Sequence, residues 1–246
     1  MNMFVSQWRA ECVRILRSPF FLLFSIVMPF VFYFLFAELN GADTPIGGTT
    51  WAAYFLMSMT AFSLIGSSVS QFGIRLAYER KGGWMRQLAL TPLPMTTLVA
   101  AKIASQLVVH GLIIALLFPV AGAVYGLQLT AAQWLACAAW LWLGSVPFLA
   151  IGAWIGTIRS PEAATALSNI VFMGMAVAGG LWMPLSVMPA WLQAVGRWMP
   201  SWHYAGGAWS ILAGEPVDRA SLLILGGVAA GFVVLSKYIV NKREGF

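Results

Sequence analysis

Apolar positions along this chain fall into long runs, and the charged positions gather between them. Residues 19–37, 51–74, 97–123, 132–158, 163–183 and 220–238 are each predominantly apolar and roughly as long as a membrane crossing. A helix needs about 20 such residues to traverse a hydrocarbon layer of about 30 Å. The pattern therefore predicts an all-α integral membrane fold with six transmembrane helices, forming a single transmembrane domain over residues 1–246. Ahead of the first run, residues 4–17 alternate differently. Phe4, Val5, Trp8, Cys12, Ile15 and Leu16 fall within about a third of the helical wheel, and Ser6, Arg9, Glu11, Arg14 and Arg17 occupy the rest. This predicts an amphipathic helix in the membrane interface, with Trp8 at the acyl boundary and Arg9, Arg14 and Arg17 directed to headgroups.

Two segments between the runs are organised rather than merely polar. The first covers residues 79–91. Trp84 to Leu90 can form two helical turns, with Trp84 and Leu88 stacked at i and i+4 and Pro92 and Pro94 ending the helix. A short helix with exposed apolar side chains, held between two spans, suits a groove on a soluble partner; the plainer reading is a loop that links spans 2 and 3. The second covers residues 184–216. It is rich in tryptophan and broken by Pro184, Pro189 and Pro200, too interrupted for a span and too apolar for a free loop. Irregular backbone at membrane depth requires cover by protein or by a watery cavity. A re-entrant helical hairpin at the outer face fits, the alternative being an amphipathic cap lying on the outer surface.

Composition sharpens this picture. The 246 residues are 60% hydrophobic and 9% charged, with mean hydropathy +0.82, whereas an average soluble domain carries about 25% charged residues. The net charge of +6 is not a nucleic-acid signature here, because its distribution follows membrane topology. Six spans put Arg9, Arg14, Arg17, Arg75, Arg80, Lys81, Arg86, Lys102, Arg159, Lys237, Lys242 and Arg243 on one side and only Arg197 and Arg219 on the other. Cytoplasmic loops carry the excess of Lys and Arg, so both termini are expected in the cytoplasm. Trp51, Trp134, Trp182, Trp191, Trp198, Trp202 and Trp209 would form an aromatic belt at the outer interface. A cleaved signal peptide is not expected, since no small-residue cleavage site follows the first run. Cys12 and Cys137 lack metal-ligand spacing and do not suggest a disulfide framework. No phosphate-binding loop, nucleophile elbow or paired-histidine metal motif is present, so neither catalytic nor metal-binding residues are assigned. His110 and His203 have no evident partner in the sequence. The absence of Asp, Glu or Arg from the expected span interiors argues against an intramembrane protease and against an ion-coupled secondary transporter, which stays as the alternative.

In this order, the basic amphipathic start, Glu79-Arg80 leading to Leu88 and Thr91-Pro92-Leu93, Lys102 opening span 3, and Gly180…Pro184-Leu185…Pro189-Ala190-Trp191-Leu192…Pro200 before the last span make the chain recognisable. It resembles the permease subunits of type 2 ATP-binding-cassette (ABC-2) exporters, the family of bacterial drug and polysaccharide export permeases, over nearly its whole length. The resemblance implies an ABC ATPase partner in two copies, which would hold ATP and magnesium, so no cofactor is expected in this chain. It also implies a second permease chain, with a homodimer favoured over a heterodimer, and a multi-pass location in the bacterial cytoplasmic membrane. By position, a cytoplasmic coupling helix that docks in the ATPase would involve Glu79, Arg80, Trp84, Met85, Arg86, Gln87 and Leu88. A smaller contact would come from Arg159 to Glu162, and the amphipathic start would brace the ATPase. Gly82-Gly83 ahead of Trp84 departs from the family pattern and would loosen the helix start. Gly180, Pro184, Pro189, Trp191 and Pro200 would shape the extracellular re-entrant segment. Gly122…Gly126, Gly152…Gly156 and Gly227…Gly231 have the small-residue spacing that lets helices approach closely, within the chain or across a dimer. Spans rich in Phe, Met, Trp and Leu favour an amphipathic or lipid-like cargo, as in multidrug or antibiotic efflux.

Overall fold

A computed structural model describes residues 3–17, 19–90 and 93–244. The chain runs α1 (Met3–Leu16), α2 (Pro19–Asn40), a two-residue-strand hairpin of β1 (Pro45–Ile46) and β2 (Thr49–Thr50), α3 (Trp51–Gly66), a π-helical segment (Ser67–Phe72) and α4 (Gly73–Lys81). Then follow α5 (Trp84–Ala89), α6 (Met95–Tyr125), α7 (Ala131–Leu143), α8 (Val146–Ile155), α9 (Pro161–Ala178), a 3-10 turn (Leu185–Val187), α10 (Ala190–Gly196), α11 (Pro200–Leu212) and α12 (Arg219–Glu244). The hairpin is the single exception to an all-α architecture among the described residues. Five helical stretches are long and apolar enough to cross a membrane: Trp51–Lys81, Met95–Tyr125, Ala131–Ile155, Pro161–Ala178 and Arg219–Ile239. In α2, a 22-residue helix, the described apolar stretch is the shorter Val27–Asn40.

The centre of the bundle is the rod formed by α3, the π segment and α4, 31 residues in all. Every residue from Trp51 to Ser70 is buried, with α2, α6, α8, α9 and α11 packed around it. A helix that is apolar on every side has no face to give to lipid or water and takes the middle. The rod reaches past the expected end of span 2 at residue 74: the chain stays helical to Lys81, and Arg75 and Glu79 belong to the rod rather than to a loop. The expectation of charge-free span interiors is corrected accordingly at this end.

Three other elements also differ. Span 4 is divided at Gly144–Ser145 into α7 and α8. Pro147, in the first turn of α8, has no N–H for the preceding turn and cannot continue it, and the Tyr204 ring lies against Gly144. Span 5 ends at Ala178 rather than residue 183, and the last helix continues from 219 to 244. Within 184–216, Pro189 caps α10 and Pro200 opens α11, the position where a missing N–H costs nothing. Helix α11 lies antiparallel along α7. The Tyr204 hydroxyl donates to the Leu141 carbonyl, Cys137 Sγ approaches the Ala208 carbonyl at 3.7 Å, and Gln133 Nε2 donates to the Leu212 carbonyl at 3.0 Å. On its other side Trp209 stacks on Tyr54 at 4.5 Å and donates to Ser58 Oγ at 3.2 Å.

Glycines decide how close the helices come. A Cβ at Gly152 would fall on the Ser68 carbonyl of the π segment, and one at Gly73 would lie 2.9 Å from the Gly152 carbonyl oxygen. Gly156 abuts Leu76, so Gly152…Gly156 is a seam within the chain, between α8 and the rod. Gly122 faces Trp134, and Gly126, at φ +57°, lies beyond the end of α6; that pair is no helix seam. Gly227 and Gly231 face open space. We expect Gly152→Ala to destabilise the protein by about 1–3 kcal/mol through overpacking, while Gly227→Ala leaves the unfolding midpoint unchanged or higher. Thermal unfolding in mild detergent, followed by circular dichroism, checks the pair; equal effects at both positions would contradict the packing described.

Candidate functional site

The rod ends in a corner. Gly82 and Gly83 close the end of α4, with Gly82 N donating to the Tyr78 carbonyl at 2.9 Å and Gly83 N to that of Arg80 at 3.1 Å. Gly83 adopts φ +74° as the residue before α5, a left-handed conformation that a Cβ would strain. Its carbonyl then accepts from Gln87 N at 3.1 Å. The two glycines therefore define the start of α5 rather than loosening it. The helix covers Trp84–Ala89, close to the two turns expected. Trp84 and Gln87 are exposed, Leu88 is half-buried, and Leu90 just beyond is 89% exposed. The side chains of Met85 and Arg86, and residues Thr91 and Pro92, lie outside the described residues. Arg80 is half-buried.

The second expected contact lies against the first. Lys81 Nζ is 2.9 Å from Glu162 Oε1, and Ser160 Oγ donates to Glu162 Oε2 at 2.6 Å. Ser160 also caps α9 by accepting from Ala163 N at 3.2 Å. Arg159 is exposed beside it. The end of the rod and the start of α9 thus share one surface.

Behind this surface lies an ionic cluster. Lys102, on α6, has no accessible side-chain surface, and its Nζ lies 2.6 Å from Glu11 Oε1 of α1 and 2.8 Å from Glu79 Oε2 of α4. Arg14 pairs with Glu79 and lies 3.3 Å from Glu11 Oε2. Two carboxylates pair directly with two cations, and the Arg75 guanidinium adds its charge close by. A buried ammonium without partners would be prohibitive, and the three-helix arrangement removes that cost only while both acids are in place. Glu11, assigned to the polar face of α1, is turned inward, and α1 packs along α6. Trp8 is half-buried, while Arg9, Arg14 and Arg17 are exposed. Burial, then the adjoining Glu11 carboxylate, pushes the Cys12 thiol above its ordinary pKa, away from nucleophilic reactivity.

Polar contacts continue up the interior. Arg75 donates to Gln106 Oε1 at 3.3 Å, and Gln106 Nε2 donates to Ser67 Oγ at 2.6 Å. His110, fully buried, has the partners that the sequence did not reveal: Nδ1 lies 2.8 Å from Ser145 Oγ and Nε2 lies 3.4 Å from Ser68 Oγ. Ser145 gives its hydroxyl proton to the Trp142 carbonyl and Ser68 gives its own to the Leu64 carbonyl, each at 2.7 Å, so both serine oxygens face the ring as acceptors. His203 Nδ1 lies 3.0 Å from Ser221 Oγ.

In the segment between α9 and α11, Gly180 takes φ +71° and packs against Leu185. Pro184 precedes the 3-10 turn. Trp191 and Trp198 are 67% and 76% exposed. The expected tryptophan belt is uneven in burial, because Trp51 and Trp209 are committed to packing: Trp51 Nε1 donates to the Phe36 carbonyl at 3.1 Å.

Sequence reasoning placed Lys102 at the start of span 3 and Glu11 on a polar face, and did not pair them. The available signal was stoichiometric: a lone lysine inside an apolar run requires an acid, and few acids lie near that end. Replacing Lys102 with Met leaves two buried carboxylates to share Arg14, and we expect a loss of about 3–5 kcal/mol. Adding Glu11→Gln and Glu79→Gln to the same chain should recover most of it. Unfolding midpoints in mild detergent check this; a triple variant no more stable than the single one would contradict the pairing.

Comparison with known proteins agrees with this architecture. The model of the ABC-2 family transporter protein matches residues 38–238. "Putative transport permease YvfS" of Bacillus subtilis (strain 168) is 39% identical over 244 residues, covering 99% of each chain. With a matching family model over most of the chain and a relative aligned from end to end, this multi-pass membrane protein belongs to the ABC-2 family of transport permeases.

Proposed function

We propose that this chain is the membrane-spanning permease subunit of an ATP-driven exporter, with α2 as the first of six spans and both termini in the cytoplasm of a bacterium. The family implies pairing with an ABC ATPase subunit. In this proposal two ATPase copies carry ATP and magnesium and contribute the hydrolysis, while two permease chains, two copies of this one, form the path. The observation that carries the reading is mechanical. Helix α5, with Trp84 exposed and Leu90 beyond it, projects from the end of the 31-residue central rod through a corner fixed by Gly82 and Gly83. A short helix seated in a partner's groove would move the rod directly, because the ionic cluster ties the same end to α1 and α6.

The docking set is then Arg80, Trp84, Met85, Arg86, Gln87 and Leu88, with Arg159 and Glu162 beside them. Glu79, whose carboxylate is engaged with Lys102 and Arg14, anchors the arm from inside. Helix α1 lies in the inner interface. The segment from Gly180 to α11, re-entrant from the outer face, fills the bundle between α3 and α7.

An amphipathic or lipid-like cargo is supported by the bundle's apolar character, with the described ion pairs gathered near the end that bears α5. A cleft of about 760 Å³ between α6 and α7, lined by Phe118, Trp134, Trp142 and small residues such as Gly111 and Ala115, is almost wholly apolar.

Gentle detergent purification from native membranes, with a C-terminal tag, tests the proposal. An ABC ATPase subunit should co-purify with the unaltered chain and be depleted at least several-fold with a Trp84→Ala, Leu88→Ala variant of equal expression. Recovery of no ATPase under several mild conditions would instead favour ion-coupled transport.

A further inference from the structure

The face of α1 turned away from α6 is basic. Arg9, Ala10, Val13, Arg14 and Arg17 line one surface hollow of about 560 Å³, at the spacing that places residues on one side of a helix. Arg9 and Arg17 are exposed, and no acidic side chain pairs with either among the described residues. Arg14 differs. Its side chain is 41% exposed at the hollow, yet its guanidinium also reaches Glu79 and Glu11. One cation therefore belongs both to the outer face of α1 and to the buried cluster that holds α4.

We propose that this hollow binds the headgroup phosphate of an anionic phospholipid in the inner leaflet, and that the phosphate competes with Glu79 for Arg14. This deepens the functional proposal and rests on α1 lying at the cytoplasmic membrane surface. Three guanidinium groups match an anionic phosphate, to which Arg donates paired hydrogen bonds. The exposed apolar side chains Met3, Val5, Val13 and Leu16 on the same helix favour lipid over an acidic protein surface, since acyl chains can cover them. Helix α2 begins at Pro19, so the hollow stands next to the entry of the chain into the membrane. A net-negative lipid is required because a zwitterionic headgroup brings its own ammonium to the phosphate.

Competition has a defined consequence. When Arg14 turns to a phosphate, Lys102 remains between Glu11 and Glu79, and Glu79 loses one of the two cations that pair with it. Helix α4 is then held less firmly against α1, and the arm that carries α5 is freer to move. Anionic lipid thereby sets how tightly the docking arm is tethered.

The test uses the full chain in phosphatidylcholine nanodiscs, with and without phosphatidylglycerol, and reads amide hydrogen exchange, which reports local opening. Phosphatidylglycerol should slow exchange across α1 several-fold and speed it across α4 several-fold. An Arg9→Gln, Arg17→Gln variant, altered only at exposed unpaired positions, should lose both responses. Arg14→Gln should show fast α4 exchange in either lipid. Identical exchange in the two lipids would overturn the proposal, as would a response that survives the double variant. So would slow α4 exchange in Arg14→Gln. The same response to inorganic phosphate in phosphatidylcholine alone would assign the hollow to a free anion, and a response only on adding an ATPase subunit would assign it to protein; either overturns the lipid site. No ATPase is needed for the nanodisc comparison, so its failure is separable from failure of the exporter reading.

Discussion

Much of this structure depends on where one lysine can put its charge. The Lys102 ammonium has no accessible surface, and α6 offers it no carboxylate of its own. Burial is tolerable only with acids from elsewhere in the chain, and it takes one from α1 and one from α4. That requirement constrains both helices. Helix α1 must lie along α6 with Glu11 inward, which turns its arginines out. Helix α4 must continue the central rod beyond the apolar run, because Glu79 lies more than a helical turn past Ile74. Breaking such a cluster by removing one member costs more than the cluster contributes relative to an apolar replacement. Its geometry ties three helices, α1, α4 and α6, to one point.

The rod itself is held by contact rather than charge. The π segment brings the Ser68 carbonyl against Gly152, and the Gly152 carbonyl against Gly73. In lipid, helices gain little from excluding water, so close backbone approach through small residues supplies the packing. Glycine at 152, 156 and 73 thus has a use inside the chain. The glycines of α12 do not, since they face open space. One spacing signature served two situations, and only the neighbours distinguish them.

This marks how far the sequence could be read. The long apolar runs, the Trp84–Leu90 helix and the interruption at Pro184 to Pro200 were legible because hydropathy and proline act locally. The inward turn of Glu11 was not, because its partner is 91 positions away and a wheel cannot tell which polar residue is buried. Nor was the extension of the rod through Arg75 and Glu79: charge is a sound signal for a membrane boundary but not for the end of a helix. The role of Gly82-Gly83 is hidden for a different reason. Glycine usually weakens a helix start, yet here a left-handed residue is what the corner requires.

The polar groups in the interior follow from backbone irregularity. The rod is π-helical at Ser67–Phe72, and the span Ala131–Ile155 is divided at Gly144–Ser145. Each irregularity redirects backbone carbonyls, and inside a membrane no bulk water is available to satisfy them. The hydroxyls at these places do so: Ser68 Oγ donates to the Leu64 carbonyl and Ser145 Oγ to the Trp142 carbonyl, each at 2.7 Å. His110 lies between the two serines and bridges the irregular part of the rod to the break between α7 and α8. An imidazole enclosed in this way lies between two distorted helices. Its burial is matched by the polar groups that these two irregularities bring to it.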